Sequence, residues 1–143
     1  MRYLIILLLA GLTVGCDSLK EKGLPSEQII TTFDPNTHST SRAVDELADS
    51  FTAFGTKRLD GAKVQLQVKQ GAKLRRYAEK ILLESRRAVN FTQVSANPDY
   101  IVTVSFVELT PDVFDWRMSL APANSPGTVL WRHSVKVDTY KID

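Results

Sequence analysis

Residues 100–109 read Tyr-Ile-Val-Thr-Val-Ser-Phe-Val-Glu-Leu, and the fold turns on this run. Its β-branched and aromatic residues favour extended backbone, and apolar residues occupy both phases of the alternation. Such a strand belongs in the interior of a sheet, so neighbours must be found for it. The residues that follow supply two. Trp116, Met118 and Leu120 alternate in one strand, and the segment Pro122–Gly127 turns the chain. Val129, Trp131, Val135 and Val137 then alternate in the last strand.

Upstream of the central run, strands and helices take turns. Gln28–Phe33 is short and β-branched, a first strand that Asp34-Pro35-Asn36 breaks. Thr40 or Ser41 caps a helix reaching about Thr56, with Asp45 and Glu46 near its positive end. Its stripe is Ala43, Val44, Leu47, Ala48, Phe51 and Phe54. Val64-Gln65-Leu66-Gln67-Val68 alternates cleanly after the Asp60-Gly61 turn, and Gln70-Gly71 ends it. Residues 72–89 make a second helix lined by Leu74, Tyr77, Ala78, Ile81, Leu82 and Val89, and Phe91–Val94 is a short strand before Asn97-Pro98. Elements interleaved early and strands consecutive late predict an α+β domain. Two helices should pack on one face of a mixed, mainly antiparallel sheet.

The first residues have another character. Arg2 opens an apolar stretch, Leu4–Val14, and Gly15 stands before Cys16, the chain's one cysteine. The stretch is shorter than the roughly 20 apolar residues that span a bilayer, and its layout is that of an export signal. The segment resembles a bacterial lipoprotein signal, with Thr13-Val14-Gly15-Cys16 as its lipobox. That resemblance implies cleavage between Gly15 and Cys16, acylation (palmitate among the acyl groups) of the Cys16 sulfur, and attachment to the membrane through those chains. An uncleaved N-terminal anchor is the alternative. Asp17 resembles the residue that retains such lipoproteins in the inner membrane, the outer membrane being the other destination. Residues 16–27, charged and containing Gly23 and Pro25, read as the lipidated cysteine and a flexible tether spanning roughly 15–20 Å. Residues 28–143 then form one globular domain. With no second cysteine it must be stable without disulfides.

Chemistry is sparsely advertised. Lys and Arg total 18 against 16 acids, a formal net charge of +2 that calls for neither nucleic acid nor acidic substrates. His38 lies in a polar loop beside Thr37 and Ser39, whereas His133 is in step with Trp131 and Val135 and reads as a hydrogen-bonded structural imidazole. Two isolated histidines argue against a metal site, no Gly-x-Ser-x-Gly turn is present, and Gly55, Gly61 and Gly71 are too scattered for a phosphate loop. No catalytic residue, cofactor or metal is expected. Two features suit contacts with a partner or with lipid. One is the basic side of the second helix, Arg75, Arg76, Lys80, Arg86 and Arg87. Relief by Arg75–Glu79 and Lys80–Glu84 pairs would make it a solvated face instead. The other is Trp116 and Trp131, as an exposed patch or else as core.

The C-terminal third carries a second likeness. Asn97-Pro98-Asp99-Tyr100-Ile101-Val102-Thr103-Val104, and the run from Trp116-Arg117-Met118-Ser119-Leu120 to Pro126-Gly127-Thr128-Val129-Leu130-Trp131, are similar to small periplasmic lipoprotein domains. Activators of penicillin-binding proteins and flagellar outer-membrane lipoproteins are of this kind. The resemblance implies a lipid-anchored periplasmic accessory that binds an envelope protein or assembly and performs no reaction. Two other functions stay open: a structural subunit of a trans-envelope machine (type IV secretion, conjugation or flagellar), and a periplasmic hydrolase or small-ligand carrier.

Overall fold

The structure, a computed structural model, describes residues 29–141. The lipobox, Asp17 and the tether lie outside them. The described chain is an α+β domain with six strands in the order β1-β6-β5-β4-β2-β3. The strands are β1 (Ile30–His38), β2 (Ala62–Gln70), β3 (Phe91–Gln93), β4 (Tyr100–Thr110), β5 (Val113–Pro122) and β6 (Trp131–Asp138). Two helices, α1 (Thr40–Arg58) and α2 (Arg75–Ser85), lie side by side on one face of the sheet.

Connection length explains the mixed pairing. The short turn at Pro111-Asp112 and the loop after Pro122 fold β4, β5 and β6 into an antiparallel meander, which holds the two longest ladders. Helical crossovers bring β2 alongside β4 in parallel, and β3 alongside β2. β1 joins β6 in parallel at the far edge. Residues 100–109 are therefore interior, with paired strands on both sides.

The helices bury one phase of the alternation in β2, β4, β5 and β6. Val64, Leu66, Val102, Val104, Phe106, Trp116, Met118, Leu120, Trp131, Val135 and Val137 meet Ala43, Val44, Leu47, Phe51, Ala78, Ile81 and Leu82 in a single core. Each tryptophan sits beneath one helix. Trp131 packs on Phe51 at 5.4 Å and stacks on Phe54 at 6.1 Å, whereas Trp116 meets Phe106 edge-on at 5.1 Å and Tyr77 at 5.2 Å. The opposite phase of residues 100–109, Ile101, Thr103, Ser105 and Val107, stays half-exposed because nothing among the described residues covers it.

Several boundaries differ from the sequence reading. β1 does not stop at Phe33 but continues to His38, so His38 ends a strand rather than sitting in a loop. A register shift between Asp34 and Thr37 absorbs Pro35 and Asn36 as a bulge, and an edge strand tolerates a residue without an N–H. Ser39, not Thr40 or Ser41, caps α1 by accepting from the Arg42 N–H at 3.2 Å, which places Asp45 and Glu46 beyond the first turn. The second helix is shorter than residues 72–89. A 3-10 turn over Ala72–Leu74 precedes α2, which stops at Ser85, although Val89 is still buried.

Candidate interaction surface

The uncovered face of the sheet is polar and patterned. In one row across β6, β5 and β4 stand Ser134, Arg117 and Ser105; in the next stand Arg132, Ser119 and Thr103. These six residues line a shallow depression of about 200 Å³. Arg117 Nε donates to Asp115 Oδ2 at 2.8 Å, and Asp115 Oδ1 is enclosed without a hydrogen-bond partner. Lys136 stands opposite Asp115 on β6. The face thus offers hydroxyls and cations around Asp115, with Asp138 at the end of β6 and the apolar Ile101 and Val107 on β4 in the same phase. Its signal was present in sequence, because Arg117, Ser119, Arg132 and Ser134 alternate out of phase with Trp116, Met118, Trp131 and His133.

The tryptophans are not part of any surface. Trp116 is 0% and Trp131 1% exposed, since both belong to the phase that faces the helices. The basic side of α2 is on the surface: Arg75, Arg76, Lys80, Arg86 and Arg87 are all exposed, and Leu83 stands 55% exposed among them. Arg75 pairs with Glu79 at 3.5 Å. Glu84 pairs with Arg87, also at 3.5 Å, and not with Lys80. The Arg76 guanidinium lies over the Tyr77 ring, 4.8 Å from its centroid. Ion pairs this exposed contribute about 0–1 kcal/mol, and these five cations outnumber Glu79 and Glu84, so the face is net positive.

Both histidines are engaged. His133, 5% exposed, donates from Nε2 to Glu46 Oε2 on α1 at 2.9 Å, and its Nδ1 contacts the Thr32 hydroxyl on β1. With Nε2 protonated towards the carboxylate, Nδ1 is the acceptor for the threonine O–H. Hydroxyl, imidazole and carboxylate therefore line up and tie α1, β6 and β1 together. The partners lie 101 and 87 residues from His133, beyond the reach of any local pattern. His38 Nε2 donates to Asp34 Oδ2 at 2.7 Å, and the Asn36 N–H donates to Asp34 Oδ1 at 3.0 Å. These two bonds, the histidine's the stronger influence, hold the Asp34 carboxyl below its ordinary value of 3.8.

Clefts open at the two ends of the sheet. One of about 640 Å³ is bordered by Arg58, Asp60, Asp99, Tyr100 and Asn124. The other, about 540 Å³ and more apolar, lies between Gly71, Leu74, Phe106 and Phe114. Neither is bordered by Thr32, His133 or Glu46. Among the described residues no group of three or more His, Cys, Asp or Glu side chains is placed to hold a metal ion, and no helix is long and apolar enough to cross a membrane. Cys16, Gly15 and Asp17 lie outside the described residues. Compared with protein families, curated proteins and solved structures, the chain matches none.

Proposed function

We propose that this chain is a lipid-anchored accessory of the bacterial cell envelope, facing the periplasm, that binds another envelope protein or assembly and performs no reaction itself. The observation that carries the reading is Thr13-Val14-Gly15-Cys16 at the end of an apolar run opened by Arg2. Acyl chains on Cys16 tie the domain to its bilayer, two or more being needed for a stable hold. Asp17 favours the inner membrane as the site of attachment. Confinement raises the effective concentration towards a membrane-bound partner, to about the millimolar range for a short tether. Among the described residues one face of the sheet is uncovered, and a broad, patterned surface of that kind suits a binding role.

Intact-mass analysis of the protein purified from its own membranes tests the anchor. The expected species begins at Cys16 and carries acyl chains; a chain starting at Met1, or an unmodified thiol, overturns the reading. Cys16→Ser should abolish radiolabelled-palmitate incorporation and release or mislocalise the protein without unfolding the domain. Crosslinking in intact cells then separates accessory from machine. An accessory is recovered with one or two partners, a structural subunit within a large detergent-stable particle.

A further inference from the structure

We propose that the outer edge of β1, residues 30–34, is a strand-addition site for an extended apolar and acidic peptide segment of the partner. The inference rests on the accessory reading above and names how the partner is held. β1 is an edge strand, and no described strand pairs with its outer side. The Ile30 N–H bonds to Leu130 O at 3.2 Å, so Ile30 faces β6, and alternation sends Thr32 and Asp34 the same way. The N–H and C=O groups of Thr31 and Phe33 therefore point outward.

What happens further along the same strand makes this opening specific. Pro35 has no N–H to offer. The Asn36 N–H is taken by the Asp34 side chain, and the Thr37 carbonyl accepts from Lys141 Nζ at 2.6 Å. The second half of the edge is thus closed by three separate devices, while among the described residues the first half has none. No lysine or arginine guards it between Ile29 and His38, although charged edges are a common protection against pairing. Ile29, Ile30 and Phe33 are instead 49%, 46% and 51% exposed, half of the large exposed apolar side chains among the described residues. The opposite edge of the sheet, β3, is only three residues long.

The occupant follows from extent and charge. Residues 30–34 fall far short of the roughly 800 Å² per partner that a stable dimer interface buries, which disfavours a second copy. A short peptide is held by main-chain bonds, with alternate side chains giving specificity. Phe33 stands beside Ser134 on the bare face, and along β6 that serine is flanked by Arg132 and Lys136. An added strand would stand two strand spacings, about 10 Å, from β6, a gap the long side chains of Arg132 and Lys136 can bridge, so an apolar residue over Phe33 and an acid next in phase complement this corner.

The test uses the full chain with Cys16→Ser, so that lipid plays no part. Random peptides displayed on phage are selected against it, and the enriched peptides are synthesised. Expected are alternating apolar and acidic residues, and slowed hydrogen exchange at the Thr31 and Phe33 amides with Thr32 unchanged. Thr31→Pro, whose N–H serves no internal ladder, should weaken binding about tenfold. N-methylation of the bonded peptide amides should do the same without altering the protein. Binding that leaves the Thr31 and Phe33 amides exchanging freely, or that ignores N-methylation, overturns the proposal. So does protection of both amides in the free chain: independent of concentration, it means residues preceding Ile29 cover the edge; dependent on concentration, a second copy does. A crosslinked partner attached elsewhere removes the edge site but leaves the accessory reading intact, whereas an unacylated Cys16 does the reverse.

Discussion

Trp116 and Arg117 are neighbours in sequence and stand on opposite faces of β5. The indole lies in an aromatic cluster under α2, while the guanidinium reaches into a shallow field of serine and threonine hydroxyls. The same division runs along β4 and β6, where Val104 and Val135 are closed in and Ser105 and Ser134 are not. One phase of the alternation carries stability and the other is free to carry recognition. Mutations on the helix-covered face should therefore be felt in folding, and those on the bare face only in binding.

Trp116→Ala should show the largest effect, about 3–5 kcal/mol lost in urea unfolding, the range for truncating a buried aromatic. The lower part of that range is expected, because the substitution also removes an indole N–H that is buried without a partner. A cost under 1 kcal/mol would mean that the aromatic cluster does not hold the core. Gly71→Ala comes next. Gly71 has φ +79°, and an added Cβ would stand 2.7 Å from Phe106 Cβ and 2.9 Å from Phe106 O. Backbone conformation and crowding together should destabilise by about 1–3 kcal/mol, read in the same assay.

A smaller effect concerns the seam where β1 meets the body of the domain. The folded-state value of Asp34 is lowered, first by the His38 bond and then by the Asn36 N–H. The unfolded chain therefore takes up that proton more readily. The stabilisation from this carboxylate is complete above its unfolded value and disappears as pH falls through the folded one. Asp34→Asn should flatten the decline in Tm on acidification relative to wild type; parallel curves would break the link between this carboxylate and β1. Arg132→Ala, on the bare face, should change stability by no more than about 0.5 kcal/mol. A larger loss would mean that the two faces are not divided as the burial suggests.

The sequence made the core faces legible because alternation and helical spacing are local. Val64, Leu66, Trp116, Met118 and the α1 stripe follow from neighbours a few residues apart. The run through Pro35 departs from local pattern for the same reason: proline is a local breaker, but whether it ends a strand depends on lying at an edge, which is a property of the whole sheet. The Thr32–His133–Glu46 connection was invisible except as a histidine in a buried phase, since its partners come from three distant elements. On α2 the Arg75–Glu79 pair followed from helical spacing. Glu84 chose between Lys80 and Arg87 by side-chain geometry, which spacing alone leaves undecided.

By itself the sequence determined an α+β domain and the phases that turn inward, because each is written in short-range periodicity and composition. Only the tertiary structure decided which strands lie at the edges and, among the described residues, that one face of the sheet stays bare and which half of β1 keeps an open outer edge. Strand order joins residues a hundred positions apart, and backbone hydrogen bonding across strands leaves no trace in side-chain pattern.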